Sequence, residues 1–264
     1  MTTRAPQESR CQGCQRQRDA AGEPLLHCRR LLIGYNGRPL LPPIDAQICR
    51  GELWAVVGRN GAGKTTYFRT LLGLMPPLGG EIVHCVSPLA LGYIPQRSQL
   101  DPLVPLRGWD VVAMGVERGG SYLRPFLSRE ERRNVTRAID EMGAQELASV
   151  SFGELSEGQK QRVLMARLVA GHPALAVLDE PTAAMDEVAE RETLELIRRL
   201  QHDHGMSVMI VSHHLPVVGQ FADRVIFIDR DSQSVVAGAA AEVFGHPAFR
   251  ARYGEETGGA HARG

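Results

Sequence analysis

The chain has 264 residues, 43% apolar and 23% charged, the proportions of a globular protein large enough for one sizeable domain with an insertion. Basic and acidic residues balance at 30 each, which argues against a polycation built for nucleic acid. The five cysteines lack framework spacing, which fits a reduced compartment, and no run approaches the roughly 18 to 20 apolar residues of a membrane-spanning helix.

Residues 1–24 read as a polar, disordered tail without the apolar core of a secretory signal. Cys11 and Cys14 form a C-x-x-C there. His27 and Cys28 would complete four zinc ligands, but a second regularly spaced pair is missing, so incidental thiols are expected. Strand patterns begin near Leu25, with a turn signal at Asn36-Gly37 and a second strand over Ile44 to Ile48. Tyr35 lies just upstream of the next motif, where an aromatic can stack on a purine.

Leu53 to Val57 is a short apolar run that reads as a buried strand. It leads into Gly58-Arg59-Asn60-Gly61-Ala62-Gly63-Lys64-Thr65-Thr66, a match to G-x-x-x-x-G-K-[ST]. A helical pattern follows over Thr65 to Leu74. Strand, glycine turn and helix start together make a polyphosphate site, because the loop amides and the helix N-terminus face one anion. Lys64 is one of two lysines in the chain, with Lys160. It is expected on the β- and γ-phosphates, with the Thr65 hydroxyl on Mg²⁺.

A further strand over Leu89 to Ile94 ends at Gln96, which can reach a metal or water in the site. Val104 to Val116 and Ser128 to Met142 read as helices of an insertion over about residues 97–172. Ser156 and Gln159 have capping-box spacing ahead of an apolar helical run. Ala174 to Leu178 reads as a strand buried on both faces, and it ends in Asp179-Glu180. Acids at that position are costly unless they hold a cation or do chemistry. Asp179 suits Mg²⁺ and Glu180 suits polarising a water. Glu187 to Leu200 reads as an amphipathic helix and Ser207 to Val211 as another buried strand. His213, just past that strand, suits the γ-phosphate or the attacking water. Further strands are expected at Val225 to Ile228 and at Val235-Val236, a short helix over Ala240 to Phe244, and a flexible tail over 251–264.

The order of these motifs resembles the ATP-binding-cassette (ABC) ATPases from Cys28 to about Phe249, and Leu155-Ser156-Glu157-Gly158-Gln159 resembles their LSxGQ signature. The resemblance implies an α/β fold: a P-loop NTPase core, an N-terminal antiparallel β subdomain and an inserted α-helical subdomain, the ATPase domain spanning about 25–250. It implies ATP and Mg²⁺ as ligands. Tyr35 would stack on adenine, and Gly58 to Thr66 would be the Walker A loop. Gln96 would sense the metal and the membrane partner. Ser156, Gly158 and Gln159 would close on ATP held by a second subunit. Asp179 and Glu180 would be the Walker B aspartate and catalytic glutamate, Asp186 part of the D-loop, and His213 the switch histidine.

Three departures stand out: Glu157 in place of a signature glycine, Met185 in the D-loop, and His214 after the switch histidine. Gly92 to Arg97, Leu103 to Leu106 and Val111 to Gly115 look like the zinc/manganese/iron importer ATPases, with heme, siderophore and cobalamin importers as close rivals. That resemblance implies a homodimer, or a pair with another ATPase subunit, at the cytoplasmic face of the membrane. Its partners would be multi-span permease subunits and an extracytoplasmic substrate-binding protein. A soluble ABC ATPase acting on DNA or ribosomes is the alternative of another class. The single cassette and balanced charge weigh against it.

Overall fold

A computed structural model describes residues 22–96, 106–116, 126–182, 185, 187–212 and 215–254. Pro24–Leu32 (β1) pairs with Ile44–Cys49 (β4) on one side and Gly79–His84 (β6) on the other, in an antiparallel sheet. Gly34–Tyr35 (β2) and Arg38–Pro39 (β3) form a hairpin. It is closed by Asn36 and Gly37 at φ 51° and 72°, the positive values that a two-residue Asn-Gly turn requires.

The second sheet carries Leu53–Val57 (β5), Leu91–Ile94 (β7), Leu175–Leu178 (β8), Ser207–Val211 (β9), Arg224–Asp229 (β10) and Ser234–Ala239 (β11). Its order is β11-β10-β5-β9-β8-β7, parallel except for the antiparallel edge strand β11. Every residue of β5, β8 and β9 is buried, which explains their unbroken apolar runs. Alternation decides which face each side chain serves. Trp54, Val56, Val177 and Met209 pack with the N-terminal sheet and with Tyr67 and Phe68. Leu53, Ala55, Val57, Leu178 and Ile210 pack in the other core with the remaining helices.

Those helices are Gly108–Ala113 (α2), Arg129–Glu141 (α3), Glu157–Gly171 (α4), Glu187–His204 (α5), Leu215–Phe221 (α6), Ala240–Gly245 (α7) and Pro247–Tyr253 (α8), after Lys64–Leu71 (α1). Both α2 and α3 pack on α4. The N-terminal antiparallel sheet, the mostly parallel core and the helices agree with the fold class expected.

Several boundaries differ from expectation for local reasons. The expected helix over 104–116 is helical from Gly108, with residues 104 and 105 outside the described residues. Arg107 is extended (φ −83°, ψ 160°), and its amide donates to Asp110 Oδ2 at 2.9 Å, which starts the helix one residue later. α1 ends at Leu71 because Gly73 turns left-handed (φ 71°) and Leu74 N donates back to Arg69 O at 2.8 Å. α6 and α8 were not expected, since Pro216 and Gly219 mask one and Pro247 the other. At α8 the proline starts the helix and His246 caps it, accepting from Ala248 N at 3.2 Å. α8 carries the helical chain to Tyr253, past the expected boundary at 250. The tail residues 255–264, like 1–21 with Cys11 and Cys14, lie outside the described residues. Cys28 and Cys49 are buried free thiols, and no cluster of three metal-ligating side chains occurs among the described residues.

Candidate active site

The junction of β5 and α1 is shaped for an anion. The loop after Val57 passes so close to β10 that a Cβ on Gly58 would lie 2.3 Å from the Ile228 carbonyl oxygen. Gly63, the N-cap of α1, sits at φ 108°, a conformation open to glycine. It provides no side-chain cap, and no acid stands in the first turn. The first amides of α1 therefore await an anion at the helix's positive end.

Lys64 is 5% exposed, and its Nζ donates to the carbonyl oxygens of Gly58 and Arg59 at 2.8 and 3.0 Å. Burial lowers its pKa, while the charges of Glu180 and Asp179 act to raise it. The loop thus holds its own cation in place before any phosphate arrives.

A cleft of about 800 Å³ opens over this loop. Asn60, Gly61, Gly63, Lys64, Thr65 and Thr66 line it together with Tyr35, Gln96 and Glu180. Tyr35 is 47% exposed on its hairpin, and its hydroxyl hydrogen-bonds Thr66 Oγ1 at 2.9 Å. Gly58 and Ala62 line an adjoining hollow of about 850 Å³ with Ser212.

Parallel pairing of β7 with β8, ending at Ile94 beside Leu178, brings Gln96 to the acids that follow β8. Gln96 Nε2 donates to Glu180 Oε2 at 2.7 Å. Glu180 itself sits at φ 52°, a left-handed conformation costing roughly 1–3 kcal/mol in a non-glycine residue. Asp179 is 1% exposed. Among the described residues neither of its carboxylate oxygens has a hydrogen-bond partner. Burial raises its pKa and the Glu180 charge adds to that; the Thr65 hydroxyl, near but short of bonding geometry, opposes it with Lys64 and Arg69. A buried, unsatisfied carboxylate beside a threonine hydroxyl is a donor set for a small hard cation.

The signature residues stand apart. Ser156 caps α4, accepting from Gln159 N at 3.4 Å while its own amide donates to Gln159 Oε1 at 2.8 Å. Ser156, Gly158 and Gln159 are exposed, and none lines either cleft. Glu157 pairs with Lys160 at 3.0 Å. His213 and Asp186 lie outside the described residues, while Met185 Sδ accepts from Thr193 Oγ1 at 3.4 Å. Arg38 and Arg230 also line the cleft and were not expected there. Their signal was faint, since an arginine in a turn is ordinary. Glu190 was missed as well. It is 2% exposed on α5, where it interrupts the apolar stripe of Leu194 and Ile197, and that interruption was the legible sign.

Comparison with known proteins accords with this geometry. Residues 41–183 match the profile of the ABC transporter family. The chain is 34% identical to the zinc import ATP-binding protein ZnuC of Pseudomonas putida over 88% of this chain and 85% of that one. It is 35% identical to the protein of the same name from Magnetococcus marinus over 89% and 84%. Among solved structures, a transporter described as metal-chelate type, in an inward-facing conformation, aligns with a TM-score of 0.73 at 25% identity, covering 84% of this chain and 85% of that chain. With a phosphate loop, a glutamine–glutamate contact and an exposed capped signature helix in one fold, this chain belongs to the ABC transporter family, the ATP-binding-cassette ATPases.

Proposed function

We propose that the chain is the ATP-hydrolysing subunit that powers import of zinc or a related metal ion through separate membrane subunits. The observation that carries the ATPase chemistry is the single cleft shared by Lys64, Thr65, Gln96 and Glu180 over the buried Asp179. The metal cargo is supported by near full-length similarity to zinc import ATP-binding proteins.

In this reading the triphosphate rests on the α1 amides and on Lys64, and Tyr35 offers its ring to the adenine. The residues fit Mg²⁺: Asp179 has two buried oxygens without partners among the described residues, and Thr65 and Gln96 line the cleft. When bound, that ion supplies charge neutralisation for the phosphates. Glu180 orients the attacking water and accepts its proton. Gln96 fixes Glu180 through their hydrogen bond. His213 steadies the γ-phosphate.

Ser156, Gly158 and Gln159, exposed at the start of α4 and away from the chain's own cleft, support a second copy. That copy's signature helix would close over the ATP held here, with Asp186 near the junction. The dimer would sit at the cytoplasmic face of the membrane, bound to permease subunits and served by an extracytoplasmic binding protein. No helix among the described residues is long and apolar enough to cross a membrane. The ATPase domain in this reading runs from about residue 25 through α8, with the insertion over about 97–172.

The test is reconstitution of the full chain with its permease in vesicles. ATP-dependent uptake of radioactive zinc, abolished by Lys64→Ala, is the expected result. Uptake of a metal chelate in preference to the free ion would move the cargo, and ATP turnover with no transport would remove the importer role.

A further inference from the structure

β8 and β9 pair in register as far as Leu178 and Ile210. Beyond that point the chains bear the reacting groups: Asp179-Glu180 after one strand, Ser212-His213 after the other. Pro181 has no amide to donate and cannot extend the ladder from its side. A side chain from a helix takes its place. Glu190 Oε1 accepts from Thr182 Oγ1 at 3.0 Å and from Ser212 Oγ at 3.1 Å. Glu190, Thr182 and Ser212 are 2%, 7% and 3% exposed, so the bridge is buried.

We propose that Glu190 is a positioning residue for hydrolysis. Its Oε1 ties Thr182, two residues past Glu180, to Ser212 at the end of β9, so the backbone that carries Glu180 is held against the neighbouring strand. Glu190 stands in the first turn of α5, which starts at Glu187 directly after Asp186. A shift of that helix therefore moves both strand ends together. This rests on the role proposed above for Glu180.

The experiment compares steady-state phosphate release and ATP binding by the full-length chain and its variants. Glu190→Ala removes the acceptor and is expected to lower kcat about tenfold or more, with KM and ATP affinity within about twofold. Glu190→Gln retains an oxygen acceptor and is expected to restore most of kcat. Thr182→Val and Ser212→Ala each remove one donor and are expected to lower kcat by less. Adding either to Glu190→Ala should cost nothing more, because the contact is already lost. Should Glu190→Ala fold poorly, the two milder variants decide. The proposal is overturned if both leave kcat unchanged. It is also overturned if kcat and the fraction of chain that binds ATP fall in proportion, or if Glu190→Gln is as impaired as Glu190→Ala. Glu180→Gln is run alongside, and wild-type turnover in it would refute the assignment of Glu180 whatever Glu190 does.

Discussion

Gln96 Nε2 and Glu180 Oε2 meet at 2.7 Å across 84 residues of sequence. The glutamine follows β7 and the glutamate follows β8, so their contact is set by the pairing of Ile94 with Leu178. Removing an amide hydrogen bond to a charged group costs roughly 1.5–3 kcal/mol. Gln96→Ala is therefore expected to lower kcat about tenfold to a hundredfold while ATP binding persists. Glu180→Gln should lose about 10²- to 10⁴-fold in turnover and still bind ATP. Phosphate release together with equilibrium nucleotide binding checks both, and a matching loss of binding would contradict the roles.

Lys64 is held by the carbonyl oxygens of Gly58 and Arg59 at 2.8 and 3.0 Å. Lys64→Ala strips the loop of its buried cation and leaves two acceptors unpaired. ATP affinity should fall by more than about tenfold, since charge-assisted bonds of this kind contribute roughly 1.5–3 kcal/mol. Isothermal titration measures it, and unchanged affinity would take Lys64 out of the phosphate site.

Asp179 has a pKa raised by burial first and by the charge of Glu180 second. A carboxyl whose folded pKa exceeds its unfolded value binds its proton more tightly when folded. Stability from this group is greatest at low pH, falls as pH rises from about 4 to the folded value, and stays reduced above it. Asp179→Asn should accordingly raise the melting temperature of the nucleotide-free chain at pH 7 and abolish the extra stabilisation that Mg²⁺ adds to ATP. Thermal scans with and without Mg²⁺ and ATP decide. A destabilised variant that still responds to Mg²⁺ would contradict the assignment.

Asp223 shows the opposite sign. Burial pushes its carboxyl up, but Arg198, bonded to both oxygens at 2.8 Å, and the Leu53 amide, also at 2.8 Å, leave it lowered overall. Its contribution is present above the ordinary carboxylate range and disappears as pH falls through the lowered value, below about pH 4. Both partners are partly exposed, so Asp223→Asn should cost about 1 kcal/mol at neutral pH. Urea titrations should show that gap narrowing below about pH 4. A gap independent of pH would mean that the charge contributes nothing.

Glu157 occupies the first turn of α4 and pairs with Lys160 at 3.0 Å. Its charge stands at the helix end proposed to receive a triphosphate from the second copy. Glu157→Gly should strengthen ATP-driven dimerisation about threefold to tenfold in a Glu180→Gln background, where hydrolysis does not reopen the pair. Sedimentation or light scattering reads this directly. Weaker pairing would show that Glu157 supports closure.

The sequence by itself determined the local pieces. Gly58 to Thr66 specified the phosphate loop because backbone conformation there depends on which residues are glycine. Ser128 with Glu131 and Ser156 with Gln159, each pair spaced by three residues, marked two helix starts. Continuous apolar runs identified β5, β8 and β9 because both of their faces are covered. What the tertiary structure decided was every contact between distant segments: Gln96 with Glu180, Tyr35 with Thr66, and Glu190 beneath the ends of two strands. Short-range spacing cannot encode these, since they follow from strand order and register. The strained backbone at Glu180, the buried Asp179 oxygens without partners among the described residues, and the helices that contain Pro216 and Pro247 belong to the same class. Each depends on what the rest of the chain packs around it.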